Sequence, residues 1–96
     1  MKLYRVVIEP ETQEDLTRIY TFIAQEGSPL SARRFLRLLQ SKIQSLESMP
    51  HLFRSSRYIS DESVRDMIVK GYTVCYAVRE ERVHVLTVFR QRDHDD

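Results

Sequence analysis

Tryptophan is absent from this chain of 96 residues, which has a single cysteine, two glycines and three prolines. One cysteine excludes an internal disulfide, and with it the small secreted scaffolds that depend on such bridges. So few glycines and prolines leave little material for loops, and the elements between them are expected to be long. No apolar run approaches the roughly 18 residues that a membrane-spanning helix needs. No basic-then-apolar leader opens the chain, so a cytoplasmic location is expected. Internal repeats and low-complexity segments are missing too.

What is present is an ordinary globular composition, 42% hydrophobic and 30% charged, which disordered chains do not show. A chain this long has room for one core, so a single domain over residues 1–96 is expected. The net charge of +1 conceals an asymmetry. Residues 1–27 carry three basic side chains against five acidic ones, whereas residues 28–57 carry six against one. Residues 58–92 are nearly balanced, and the last four hold three aspartates. A basic middle suggests an anionic partner or a solvated helix face.

Hydrophobic periodicity orders the elements. The β-branched and aromatic run from Leu3 to Ile8 reads as a strand. Thr12 followed by Asp15 resembles a capping box, and Leu16, Ile19, Tyr20 and Ile23 mark one helical face that Gly27 should end in a left-handed cap. Ser28-Pro29 opens a second helix, whose buried stripe is Ala32, Phe35, Leu36, Leu39, Ile43 and Leu46, and Met49-Pro50 ends it. Residues 50–63 are polar and read as a loop. Three strands then follow, the last two joined at Glu80-Glu81, with the alternation slipping between Val85 and Leu86 as a bulge would make it. The expectation is an α+β fold, ordered strand–helix–helix–strand–strand–strand, with the helical hairpin packed on one face of a mainly antiparallel sheet.

In the third strand Tyr72, Val74, Tyr76 and Val78 should face the hairpin. Thr73, Cys75 and Ala77 then lie on the other face and, beside Leu86 and Val88, form a shallow trough expected to lack a covering layer. Arg90 and Arg92 end the last strand, where guanidinium groups could hold a carboxylate or a phosphate. The terminal DHDD run has metal-ligand types, but four consecutive residues do not converge on one ion, and no metal is expected. His84, between valines, reads as a strand residue, and His51 as a cap on the helix before it. Cys75 lacks the neighbours that activate a nucleophile. Arg33, Arg34 and Arg37 have no interleaved aromatics for base stacking, and direct nucleic-acid binding is not expected.

The chain resembles the RelE/ParE superfamily of toxins from type II toxin–antitoxin modules. The likeness rests on Pro10, Asp15, Leu16 and Ile19 at the first helix, and on Leu46 and Pro50 after the second. It extends to Gly71, Tyr72, Tyr76 and Val78, before a last strand that runs into arginines. Two branches share this fold. RelE-type members are ribosome-dependent mRNA endonucleases, and ParE-type members inhibit DNA gyrase by binding. Thr73 stands where the RelE pattern has an arginine, no tyrosine follows Tyr76, and Arg65 beside Asp66 replaces the RelE lysines. The ParE pattern has a histidine where Arg90 stands. No convincing acid–base set for RNA cleavage remains, and the balance favours the ParE type without catalytic residues.

The resemblance thus implies a toxin that binds DNA gyrase, needs no cofactor, and is neutralised by a small DNA-binding antitoxin. Arg65, Arg90 and Arg92 are the candidates for target binding. Thr73, Cys75, Ala77, Leu86 and Val88 are the candidates for the antitoxin's groove. The alternatives are a RelE-type endonuclease and a degenerate homologue that only binds antitoxin.

Overall fold

The computed structural model describes residues 2–91. Strand β1 (Arg5–Ile8) leads into helix α1 (Pro10–Glu26), helix α2 (Pro29–Gln44) and a 3-10 turn (Ser45–Glu47). Strands β2 (Arg54–Ser55), β3 (Val64–Val69), β4 (Tyr72–Arg79) and β5 (Arg82–Arg90) follow, and the sheet order is β1-β5-β4-β3-β2. Every pairing is antiparallel except that of β1 with β5, which is parallel. The α+β layering expected from the periodicity is what forms, with β2 as a short additional edge inside the supposed loop.

The two helices begin for different reasons. The Ser28 side chain accepts from the Ser31 amide at 3.0 Å, so α2 has the Ser-Pro start read from the sequence. Helix α1 has no such cap. It begins at Pro10 after an extended Glu9, two residues before the presumed box. Thr12 instead donates to the carbonyl of Val85 at 2.8 Å, and Asp15 also bonds to β5. Gly27 is not left-handed either, with φ −126°. An added Cβ there would lie a tight 3.2 Å from the Ile23 carbonyl oxygen.

The core sits between the hairpin and one face of the sheet. Ile19, Leu39, Ile43 and Leu46 meet Tyr72, Val74, Tyr76, Val83, Val85 and Val88 there, and the Tyr76 hydroxyl donates to the Pro50 carbonyl at 2.8 Å. Burial pushes the Tyr76 phenol up to about 12. The bulge foreseen in β5 is present. Cys75 pairs with Thr87 and Tyr76 with Val85, so Leu86 is the inserted residue.

The other face of the sheet departs from expectation. Thr73, Cys75 and Ala77 are fully buried, the latter two because residues 56–63 fold back as a strap over them. Tyr58 and Ile59 from the strap, with Leu86 and Phe89, close over Val64, Cys75 and Ala77, and the Tyr58 and Phe89 rings meet edge to face at 5.0 Å. A buried Asp66 fastens the strap, accepting from the Arg57 amide at 2.8 Å and the Cys75 thiol at 3.2 Å. Burial, followed by the neighbouring carboxylate, pushes that thiol up to about 12. The open trough is therefore corrected: the chain supplies its own third layer. Val88 belongs to the opposite, helix-facing core, because the bulge reverses the alternation before it.

Candidate functional site

The arrangement with binding chemistry lies between α1 and the second half of β5. Strand β1 pairs with β5 only from Arg82 to Val85. Beyond Val85, no described strand covers that edge of β5. Helix α1 runs alongside, leaving a cleft of about 440 Å³ lined by Asp15, Arg18, Phe22, Tyr72, Val88 and Arg90 among others.

Asp15 is the keystone of this cleft. Its Oδ2 accepts from the Val88 amide and from the Thr87 hydroxyl, both at 2.9 Å. Its Oδ1 accepts from the Arg18 guanidinium. One carboxylate thus satisfies an amide on the bare strand edge and holds a cation at the cleft wall. Asp15 is 9% exposed, whereas the Arg18 side chain is mostly in solvent.

Arg90 closes the cleft. Its guanidinium lies over the Phe22 ring, 4.4 Å from the centroid, a cation–π stack. Stacking uses a guanidinium's faces and leaves its in-plane N–H fork for an anionic partner. Phe22 is 40% exposed, so cation and ring together offer a charged yet apolar surface. Two guanidiniums flanking an aromatic ring beside an unpaired strand edge can grip a carboxylate-bearing segment. Among the described residues no three His, Cys, Asp or Glu side chains converge as metal ligands. Among the described residues no helix is long and apolar enough to cross a membrane.

The residues singled out in the sequence do not form one site. Arg90 is in the cleft, but Arg65 pairs with Tyr76 while Arg90 pairs with Tyr72, on opposite neighbours of β4 and four positions apart along it. Arg65 is also engaged, donating to the carbonyls of Phe53 and His51. Arg92, His94 and the acidic run lie outside the described residues. His51 stacks edge to face on Tyr4. His84 is half-buried, its Nδ1 2.8 Å from Glu9 Oε1. Sequence reasoning missed Phe22 and Arg18. The available signal was an aromatic outside the apolar stripe of its own helix.

The fold resembles a solved structure described as the chromosomal ParDE TA system from P. aeruginosa. The TM-score is 0.79 at 14% identity, covering 92% of this chain and 96% of that one. At that identity the likeness speaks for the fold alone. No curated protein sequence matches the chain. The family model described as ParE toxin of type II toxin-antitoxin system, parDE, matches residues 6–94. By that match, nearly end to end, the chain belongs to the ParE toxin family of type II toxin–antitoxin systems.

Proposed function

We propose that this toxin acts by binding DNA gyrase through the surface around Arg90, and that a cognate antitoxin neutralises it. The observation that carries the reading is the Arg90 guanidinium held over Phe22 at the mouth of an open cleft. A stacked arginine is preorganised, so little side-chain entropy is lost when it meets a carboxylate. The ring and the flanking Arg18 add apolar area and a second cation. Binding rather than bond-breaking fits these groups, since a stacked guanidinium and an ion-paired one are poor proton acceptors at neutral pH.

The test uses purified chain and its Arg90→Glu variant in a gyrase supercoiling assay, with transcript integrity followed in cells after induction. Wild type should inhibit supercoiling and leave transcripts whole. The variant should lose about 2 kcal/mol or more of binding, roughly thirtyfold in affinity, while keeping its fold. Ribosome-positioned transcript cuts with supercoiling untouched would replace this reading with the endonuclease one. Full inhibition by the variant would remove Arg90 from the contact.

A further inference from the structure

The outer face of α2 plays no part in the cleft, yet it is chemically one-sided. The sixteen residues PLSARRFLRLLQSKIQ contain four basic side chains and no acidic one. Ala32, Leu39 and Ile43 are buried, and Phe35, Leu36 and Leu38 half-buried. Leu30, Arg33, Arg34, Arg37, Ser41 and Gln44 are exposed. Spacings of three and four residues align Leu30, Arg34, Arg37, Ser41 and Gln44 along the helix, with Arg33 beside Arg37. From Arg33 to Gln44 the row is about 17 Å long at 1.5 Å per residue.

A helix face meant only for solvent usually mixes signs, because opposite charges three or four residues apart stabilise it. Here no such pair can form within the helix. Three other exposed cations of this chain find acids: Lys2 pairs with Glu81 at 3.2 Å, Arg79 with Asp61 at 3.0 Å, and Arg18 with Asp15. Among the described residues no carboxylate pairs with Arg33, Arg34 or Arg37. The helix dipole does not offset them either, since they lie toward its positive end.

The composition of the face indicates the kind of partner. Protein interfaces are centred on buried aromatic or other large apolar anchors, and this face offers only Leu30, at one end. Its groups are guanidinium, hydroxyl and amide, those that contact phosphate oxygens. Without aromatic rings it cannot stack on unpaired bases, which leaves the double-stranded form. We propose that the outer face of α2 binds the phosphate backbone of duplex DNA, with Arg33, Arg34 and Arg37 each neutralising one phosphate. Each strand presents a phosphate about every 3.4 Å of axis, so the row passes about five of them. Ser41 extends it as an uncharged donor, and the row ends at Gln44, whose amide donates to Glu47 Oε2 at 2.9 Å. The contact is independent of DNA sequence and independent of the gyrase reading.

Fluorescence anisotropy with a labelled, mixed-sequence duplex of about 20 base pairs, repeated across a salt series, tests this directly. Three neutralised phosphates give a slope of about −2.7 for log affinity against log salt. The Arg34→Gln/Arg37→Gln variant should fall to about −0.9, and the triple variant with Arg33→Gln to near zero. Lys42→Gln removes an equal charge per residue from α2 but off the row, and should leave the slope unchanged. Circular dichroism verifies that each variant is folded. A wild-type slope in the triple variant overturns the proposal, as does an effect of Lys42→Gln equal to that of a row arginine. So does displacement of DNA by poly-glutamate as effectively, per charge, as by unlabelled duplex, which would indicate an acidic protein instead.

Discussion

Replacing Asp15 with alanine removes the carboxylate that ties α1 to the free half of β5. Two groups on β5 lose their acceptor together, the Val88 amide and the Thr87 hydroxyl. Val88 is 3% exposed, so its amide has little water to turn to, and a stranded buried donor costs about 1–3 kcal/mol. The hydroxyl's bond to a charged acceptor contributes about 1.5–3 kcal/mol more. The Arg18 ion pair adds little, because its cation is largely in solvent. A total loss of about 3–5 kcal/mol is expected, comparable to breaking other buried charged networks. In a domain of this size that lowers the melting temperature by at least about 12 °C. Asp15→Asn keeps one oxygen acceptor and should lose roughly half as much. The assay is thermal and urea unfolding of both variants, Arg18→Ala, and wild type, with amide exchange at Val88 as the local readout. Val88 should exchange slowly in wild type and quickly in Asp15→Ala. A loss below about 1 kcal/mol would refute the keystone argument, as would Arg18→Ala matching Asp15→Ala.

Two further outcomes test the strap. Ala77→Arg puts a long cation into the fully buried space under Tyr58 and Ile59; melting should drop by the equivalent of about 3–5 kcal/mol, and an unchanged melting curve would show that the strap opens freely. Cys75 should resist alkylation: at pH 8.5 about half of an ordinary thiol is ionised, against roughly one in 3,000 for a thiol pushed up to about 12. Labelling should therefore follow the unfolding rate, and modification of the native chain within minutes would contradict the closed strap.

Local periodicity made most of the architecture legible. The α2 stripe from Ala32 to Ile43 and the alternation from Tyr72 to Val78 both select buried faces at short range, and both faces are where the periods place them. Even the bulge showed as a slip after Val85. What stayed hidden depends on contacts far apart along the chain. Thr12 and Asp15 satisfy a local capping rule on paper, yet each bonds to a strand 73 positions away. That strand comes within reach only through the parallel pairing of β1 with β5. The strap went unread because Tyr58 and Ile59 are two adjacent apolar residues among polar ones, with no period to reveal a buried side. Arg65 looked free because a guanidinium bound to backbone carbonyls has no counterpart in the sequence of charges. Arg90 was legible by its place at a strand end, but not the Phe22 ring beneath it.

Leu86 gives β5 a change of phase. Before it, Val83 and Val85 face the hairpin; after it, Val88 packs on that side and Arg90 reaches Phe22, while Phe89 turns to the strap. Were Leu86 paired in regular register instead of inserted as a bulge, the alternation would continue unbroken. Thr87 and Phe89 would then occupy the hairpin side, and Arg90 would aim at the opposite surface. The direction of the half-buried Arg90 is thus set four positions upstream, by a side chain on the far side of the sheet. The orientation of this surface therefore depends on the bulge in β5 as much as on its residue types. Drift within Thr87 to Arg90 can retune the cleft's chemistry residue by residue, but a change that closed the bulge while keeping Leu86 would turn the second half of β5 over at a stroke.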